Sequence, residues 1–258
     1  MCVRSRWFVL FATTLLAAAC GSTRQPSVTL PPEFDRDDPT SATQLMQQGQ
    51  ALVLDSRFDE GIARYKAALE LQPKNPTIHN LWGVAELQRG EPAKAIEHFN
   101  QALGLAPAYS DARSNRGAAY ARLGQFAMAE GDYLAVLGDS THANRAGVYF
   151  NLGALYLERG SLSAAEENLK RAVAQSGPVD AYLLLGRVEE RLVKLESAEN
   201  AYRAALDKSP DRADIAWVLA VLLEKQGRKE AAAEVYGRIL VFAPSSPEAQ
   251  LARAKLGK

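Results

Sequence analysis

The stretch "HNLWGVAELQRGEPAKAIEHFNQALGLAP", residues 79–107, carries the pattern from which the fold of this chain can be inferred. Three small residues recur in it at fixed distances: Gly83, Ala95 and Ala102. Two antiparallel helices that approach to about 8 Å need small side chains where they cross, because larger ones push the helix axes apart. Gly90 suits a turn with positive φ between the two helices, and Pro107 stops the second helix. The stretch therefore predicts a helical hairpin.

The same pattern occurs six times along the chain. In every occurrence, gaps of 12 and then 7 residues separate three small or medium residues: Gly49, Gly61 and Ala68; Gly83, Ala95 and Ala102; Gly117, Ala129 and Val136; Gly153, Ala165 and Ala172; Gly186, Ala198 and Ala205; Ala220, Ala232 and Ile239. The first members of successive sets lie 33 to 36 residues apart. A period near 34 residues is that of tetratricopeptide repeats, each of which is a helix–turn–helix unit.

We therefore predict an all-α fold, a right-handed superhelical solenoid of six tetratricopeptide repeats with a C-terminal capping helix. The predicted repeats occupy residues 42–75, 76–109, 110–145, 146–178, 179–212 and 213–245, and the capping helix occupies residues 246–258. Ser246 is expected to cap this last helix and Pro247 to begin it. The helix would cover the apolar face of the sixth repeat, since solenoids need polar ends.

One segment disturbs the regular spacing. Between the third and fourth repeats the spacing rises to 36 residues, and "GDSTHANRAG" fills positions 138–147 without the usual proline. Two interpretations stay open, a longer surface loop and a hinge that divides the solenoid into two halves of three repeats.

The chain before the repeats is typical of an exported protein. Arg4 and Arg6 precede an uncharged, mostly apolar run at 7–19, which is shorter than the roughly 20 residues that span a bilayer. Residues 1–19 are therefore predicted to be a signal peptide. Residues 20–41, which contain four prolines, are predicted to be a flexible tether.

The sequence "LAAAC" at 16–20 resembles the bacterial lipobox. That resemblance implies that Cys20 becomes the mature N-terminus and carries fatty acyl chains such as palmitate. Exported proteins normally use cysteines in pairs, and the only other one, Cys2, would be removed with the signal. Gly21, rather than an aspartate, follows Cys20, which in familiar Gram-negative lipoproteins is compatible with anchoring at the periplasmic face of the outer membrane. The alternative is an ordinary signal peptide with an incidental cysteine.

Charge and motifs argue against several functions. Without Arg4 and Arg6 the chain keeps 28 of its 30 basic residues against 30 acidic ones, which does not favour nucleic-acid binding. Its three histidines lack metal-ligand spacing, and the motifs of phosphate-binding loops and nucleophile elbows are missing. Carboxylate pairs such as Glu166-Glu167 and Glu189-Glu190 are expected to be solvated on helix surfaces. No cofactor, metal or small-molecule substrate is expected. An enzyme with an unmarked active site stays an alternative.

The remaining function is recognition of another protein. In tetratricopeptide stacks, positions 2, 5, 9 and 12 of each repeat face a concave surface. This rule predicts a partner site comprising Met46, Val53, Asn80, Val84, Leu87, Ser114, Phe150, Leu157, Leu183, Arg187, Trp217 and Val221, with Asp180 and Asp214 as further polar members. Such a surface suits an apolar or amphipathic helix with a few charges. The N-terminal repeats, with Val84 and Leu87 among their predicted partner residues, are the preferred contact region, because the tether would keep them nearest the membrane.

The whole layout resembles the PilF/PilW/Tgl family of tetratricopeptide lipoproteins. "AYSDARSNRGAAYARLGQFAMAEGDYLAVL" at 108–137 and "RAGVYFNLGALYLERGSLSAAEENLKRAV" at 145–173 are similar to that family's third and fourth repeats. The resemblance implies a pilotin, which binds subunits of the type IV pilus secretin PilQ and promotes their assembly into the outer-membrane multimer. Size and layout are nearest to Tgl members, which support pilus-driven gliding motility. The alternative is a periplasmic scaffold that recruits cell-wall hydrolases or other envelope complexes.

Overall fold

A computed structural model describes residues 39–257, and within that range the regular elements are thirteen α-helices. The helices are α1 (Pro39–Leu54), α2 (Phe58–Leu71), α3 (Pro76–Arg89), α4 (Pro92–Leu105), α5 (Ser110–Arg122), α6 (Phe126–Gly138), α7 (Arg145–Glu158), α8 (Leu162–Ala174), α9 (Val179–Arg191), α10 (Leu195–Lys208), α11 (Ala213–Lys225), α12 (Lys229–Phe242) and α13 (Pro247–Leu256). None of these helices is both long and apolar enough to cross a membrane.

The first twelve helices form six hairpins, which confirms the predicted repeats. Each odd-numbered helix packs against the even-numbered helix that follows it, and each hairpin packs against the next. Successive first helices also contact one another from α1 through α9. The array is therefore a superhelix whose first helices lie side by side along one face.

Close contacts between a glycine and a large side chain hold each of the first five hairpins together. A Cβ atom added at Gly83 would lie 2.5 Å from the ring of Phe99, and one added at Gly186 would overlap the ring of Tyr202. Gly49, Gly117 and Gly153 face Tyr65, Tyr133 and Leu169 in the same way. The predicted role of the small residues is confirmed.

The turns inside the hairpins have a glycine at positive φ in four repeats and another residue type in two. Glycines adopt the left-handed conformation at the predicted turns, with Gly90 at φ 90°. In the first and fifth repeats that place is taken by Ser56 at φ 61° and Val193 at φ 60°. A β-branched residue is strained in this conformation, so the fifth turn depends on its surroundings for its shape.

The last helix closes the array as predicted. Ser246 caps α13, because its hydroxyl oxygen accepts a hydrogen bond from the backbone N–H of Ala249 at 3.1 Å. Ala249 and Ala252 are fully buried against the sixth repeat. α13 therefore covers the apolar face that the sixth repeat would otherwise expose.

The first helix begins earlier than the sequence analysis places it. α1 starts at Pro39, three residues before the predicted boundary, and Ser41 and Ala42 are already buried. A proline favours the first turn of a helix, where its missing N–H has no partner to lose. The tether prediction is therefore wrong for residues 39–41. The predicted signal peptide and Cys20 lie outside the described residues.

The longer connection between the third and fourth repeats is fixed to its neighbours. The carboxylate of Asp139 accepts hydrogen bonds from the Ser110 hydroxyl at 2.8 Å and the Thr141 hydroxyl at 2.6 Å. These bonds lower the pKa of Asp139 to about 2. The guanidinium of Arg145 donates to the backbone oxygens of Leu137 and Asp139. The contacts favour the surface-loop interpretation, and the hinge stays a prediction.

Two carboxylates that were expected to be solvated are buried. Glu189 is 2% exposed and Glu166 is 8% exposed at the contact between the fourth and fifth repeats. Lys170 and Lys194 donate to Glu166 at 2.6 and 2.7 Å, and these bonds lower its pKa. Burial instead raises the pKa of Glu189, although Lys170 lies 3.7 Å away. The expectation of a solvated surface is thus wrong for these two residues, since a neighbouring repeat covers them.

Two of the three histidines meet beside Trp82. The rings of His79 and His98 are stacked with centroids 6.0 Å apart. The indole of Trp82 also stacks on His98, with ring centroids 4.1 Å apart. Burial lowers the pKa of His98 to about 4, with smaller contributions from His79 and Lys66. His98 is therefore neutral near pH 7 and acts as an aromatic packing group.

Adding one methyl group at Gly186 should destabilise the protein. The Tyr202 ring cannot move away easily, because its hydroxyl donates to Glu190 at 2.7 Å. We expect Gly186→Ala to lower the free energy of unfolding by about 1–3 kcal/mol. The matched control is Gly237→Ala in α12, where no atom lies within 4 Å of the added Cβ. Urea denaturation should show that this control gains about 0.5–1 kcal/mol. Equal effects at the two positions would contradict the close-contact explanation.

Acid should weaken the fold partly through His98. Its folded-state pKa lies below its ordinary value, so between pH 6.5 and pH 4 the unfolded chain binds a proton that the folded chain does not. Stability is therefore lost as the pH falls through this window, by on the order of 1–2 kcal/mol. His98→Phe keeps a stacking ring without a titrating group. Melting curves from pH 7 to pH 4.5 should fall less steeply for this variant than for the wild type.

Candidate functional site

The first helices of the hairpins provide the surface on which the predicted partner residues lie. These helices contact one another along one side of the array, and pairs of second helices show no comparable contact within residues 39–257. The side on which neighbouring helices are closer together is the inner side of a curved array. The first helices therefore line the concave face, and the individual exposure of the predicted side chains decides which of them a partner can reach.

Four of the twelve predicted partner residues are buried: Val53, Asn80, Leu87 and Leu183. Leu87 packs with Phe99 and Ala119 between the second and third repeats. The side-chain oxygen of Asn80 accepts a hydrogen bond from Asn115 at 3.0 Å. These side chains join one repeat to the next and are not available to a partner. Their assignment to the partner surface is corrected accordingly.

The other eight keep some exposure. Arg187 is exposed, and the rest are half-buried: Met46, Val84, Ser114, Phe150, Leu157, Trp217 and Val221. Trp217 packs on Tyr236 with ring centroids 5.2 Å apart, so one part of its surface is already used inside the sixth hairpin. Asp180 and Asp214 flank Arg212, which bonds to both at 2.8–2.9 Å. The reachable positions are thus concentrated in the last three repeats.

In the N-terminal repeats, side chains of one repeat form hydrogen bonds with the next. The guanidinium of Arg122 donates to the backbone oxygen of Leu87, and the Asn80 amide lies 3.4 Å from the Tyr109 hydroxyl. Val84 is half-buried beside them. The preferred contact region of the sequence analysis therefore offers Val84 but not Leu87.

An open groove lies on the concave face of the last three repeats, across α7, α9 and α11. We call it the C-terminal groove; its volume is about 810 Å³, and it is lined by Leu157, Glu158, Gly160, Leu184, Arg187, Glu190, Arg191, Val218 and Lys225. Two of these residues, Leu157 and Arg187, belong to the predicted partner site. α9 and α11 make less contact with each other than the earlier pairs of first helices do, which leaves space between them.

The predicted partner site did not include the other seven lining residues, although Glu190 stands at position 12 of the fifth repeat, which the rule selects. Leu184 and Val218 stand at position 6 of their repeats, and Arg191 and Lys225 at position 13. In the fifth and sixth repeats both of these positions line the groove. One signal was present in the sequence: Arg187 and Arg191 have no carboxylate four residues before them, whereas Arg171 and Arg203 pair in that way with Glu167 and Glu199.

Some charged side chains of the groove have a partner within the protein, and others have none. Glu190 accepts one hydrogen bond from Lys225 at 3.2 Å and another from the Tyr202 hydroxyl at 2.7 Å, one on each carboxylate oxygen. Burial and the bond to Glu190 raise the pKa of Tyr202 well above its ordinary value. Arg187 and Arg191 are exposed and form no ion pair with any residue between 39 and 257. The groove therefore combines an apolar floor with two unpaired cations.

The chemistry of this surface suits noncovalent binding. Among the described residues, no three His, Cys, Asp or Glu side chains are grouped so that they could hold a metal ion. The groove is open along its length and carries apolar side chains beside charged ones. Such a surface can hold a segment of another polypeptide.

Known proteins share both the repeat and the overall architecture. The Tetratricopeptide repeat family profile matches residues 46–110, 150–199 and 183–247. The crystal structure of PilW, a widely conserved type IV pilus biogenesis factor, superposes with a TM-score of 0.73 at 22% identity over 83% of this chain and 99% of PilW. PilF of Pseudomonas aeruginosa superposes with a TM-score of 0.71 at 18% identity over 85% of this chain and 99% of PilF. At these identities the likeness shows a shared fold.

Curated relatives are matched over only part of their own length. The BBSome complex member BBS4 of Bos taurus is 28% identical over 190 residues, which cover 73% of this chain and 36% of BBS4. This chain spans between 35% and 39% of the length of the curated relatives that it matches. The matched ranges cover more than half of the sequence, and they contain most residues of every hairpin except the third. The chain belongs to the tetratricopeptide repeat family.

Proposed function

We propose that this protein is a lipid-anchored pilotin of type IV pilus biogenesis. It binds unassembled subunits of the secretin PilQ and promotes their assembly into the outer-membrane multimer, and it thereby supports pilus-dependent motility. One observation carries the proposal: the superposition covers 99% of the PilF chain and 99% of the PilW chain, over 85% and 83% of this chain. The likeness thus extends over nearly the full length of both solved chains, and is more than the agreement of a few generic repeats.

The proposed mechanism needs binding alone. An unassembled subunit exposes apolar surface that is later covered by its neighbours in the ring, and such surface invites aggregation. The concave face of this protein offers a shaped, partly apolar surface on which a segment of that subunit can be held. Release follows when subunit–subunit contacts replace it, so no covalent step is required.

A lipid anchor would supply the second part of the mechanism. In this proposal Cys20 carries the acyl chains and holds the repeats at the periplasmic face of the outer membrane. Several acyl chains give stable anchoring where a single chain is marginal. Anchoring raises the concentration of the bound subunit at the membrane into which it assembles, without any additional contact.

Deleting the gene tests the pilotin role. We expect heat-resistant PilQ multimers to disappear from the deletion strain while PilQ monomers persist, and we expect pilus-dependent motility to be lost. Immunoblots of unboiled and boiled envelope fractions measure this directly. Expression of the wild-type gene in the deletion strain should restore the multimers. Normal multimers in the deletion strain would refute the pilotin role.

Replacing Cys20 tests the anchor separately. We expect Cys20→Ser to abolish incorporation of labelled palmitate and to move the protein from the membrane fraction to the periplasmic fraction. Cys2→Ser is the matched control, because it removes the other cysteine within the predicted signal peptide and should leave labelling unchanged. Membrane association that survives in Cys20→Ser would contradict anchoring at this residue. PilQ multimers should be reduced in that strain at normal expression levels.

A further inference from the structure

We infer that the C-terminal groove binds an amphipathic helical segment of the partner protein, with carboxylates one helical turn apart that pair with Arg187 and Arg191. This inference deepens the proposed function and rests on it for the identity of the partner. It differs from the sequence-based expectation, which placed the contact at Val84 and Leu87 in the N-terminal repeats.

Some basic residues of the described chain form ion pairs within the protein, and others do not. Arg116, Arg159 and Lys255 each donate to a carboxylate of this protein at 2.6–2.7 Å. Arg187 and Arg191 have no such partner between residues 39 and 257, although both line a concave surface. A cation in a groove is stabilised when a ligand carboxylate forms a charge-assisted hydrogen bond with it. Charge complementarity therefore favours an acidic ligand.

The carboxylate one helical turn from Arg187 is held by other groups. Glu190 stands three residues further along α9, and one of its oxygens accepts from Lys225 and the other from the Tyr202 hydroxyl. Tyr202 is fully buried and its ring is fixed against Gly186. The remaining carboxylate of the lining, Glu158, forms no ion pair with either arginine. Neither carboxylate of the lining is therefore paired with Arg187 or Arg191.

The spacing of the arginines indicates the form of the ligand. Residues four apart on a helix lie on the same face, about 6 Å from each other. Two carboxylates at positions i and i+4 of a ligand helix have the same separation and can meet both guanidinium groups. Leu157, Leu184 and Val218 lie beside the charges and can cover the apolar face of that helix. An amphipathic helix with acidic residues at its edge satisfies both requirements.

Designed peptides of about 18 residues provide the probe, since shorter helices are marginal in water. The first peptide is an amphipathic helix with leucines on one face and glutamates four residues apart beside them. The second has glutamine in place of those glutamates, and the third has the composition of the first in scrambled order. Fluorescence anisotropy with the purified full-length protein in detergent measures each affinity. We expect the glutamate helix to bind at least about tenfold more tightly than either other peptide.

The substitution Arg187→Ala with Arg191→Ala should remove this preference. The matched control is Lys229→Ala with Arg238→Ala, which deletes two exposed cations of α12 outside the groove. Circular dichroism melting should show that both double variants remain folded. The inference is overturned if the wild type binds the three peptides equally or not at all. It is also overturned if the preference survives in the groove variant, or disappears equally in the control.

Multimer formation in cells separates this inference from the proposed function. If the deletion strain lacks PilQ multimers but the Arg187→Ala, Arg191→Ala strain forms them normally, the pilotin role stands and the groove inference fails. If the deletion strain itself forms normal multimers, the pilotin role fails, and the peptide measurements still decide whether the groove selects acidic helices. We expect multimers to be lost in the deletion strain and reduced in the groove variant.

Discussion

The contact between a glycine of one helix and a large side chain of the next is the constraint on which this structure depends. Gly83 against Phe99 and Gly186 against Tyr202 leave no space for a Cβ atom, so the two helices of a hairpin come as close as their backbones allow. Repeating this separation in successive hairpins makes the repeats nearly identical in shape. Units of one shape, stacked with a constant offset, form a superhelix, and the concave face follows from that geometry.

Much of the fold could be predicted because its determinants are local. The requirement for small residues acts within one hairpin, and Gly90 or Ser246 acts within one turn, so the sequence of a single repeat contains the information. Features that depend on the neighbouring repeat were misjudged. Glu189 looks like a surface carboxylate in its own helix, and only the adjacent repeat and Lys170 reveal that it is buried. The start of α1 at Pro39 was missed because the residues before the first small-residue set have no counterpart in the repeat pattern.

The sequence pattern indicated which helices form the candidate site, but not which of their side chains are exposed. The repeat positions lie on the first helices, which line the concave side, yet they do not say how far one first helix lies from the next. Where the helices are close, Leu87 and Asn80 become part of the contact between repeats. Where α9 and α11 separate, Arg191 and Val218 line the C-terminal groove. Local separation is a property of the stack, and a single-repeat pattern does not encode it.

The packing constraint also positions a charged residue of the groove. The ring of Tyr202 must lie against Gly186, and in that place its hydroxyl reaches Glu190. This bond fixes one oxygen of Glu190, while Lys225 donates to the other. A leucine in place of Tyr202, as Leu169 stands in the fourth repeat, would fill similar space but remove the hydroxyl that holds this carboxylate. The residue that closes the fifth hairpin therefore also orients a carboxylate of the C-terminal groove, and this couples the packing of the repeat to the surface that it presents for recognition.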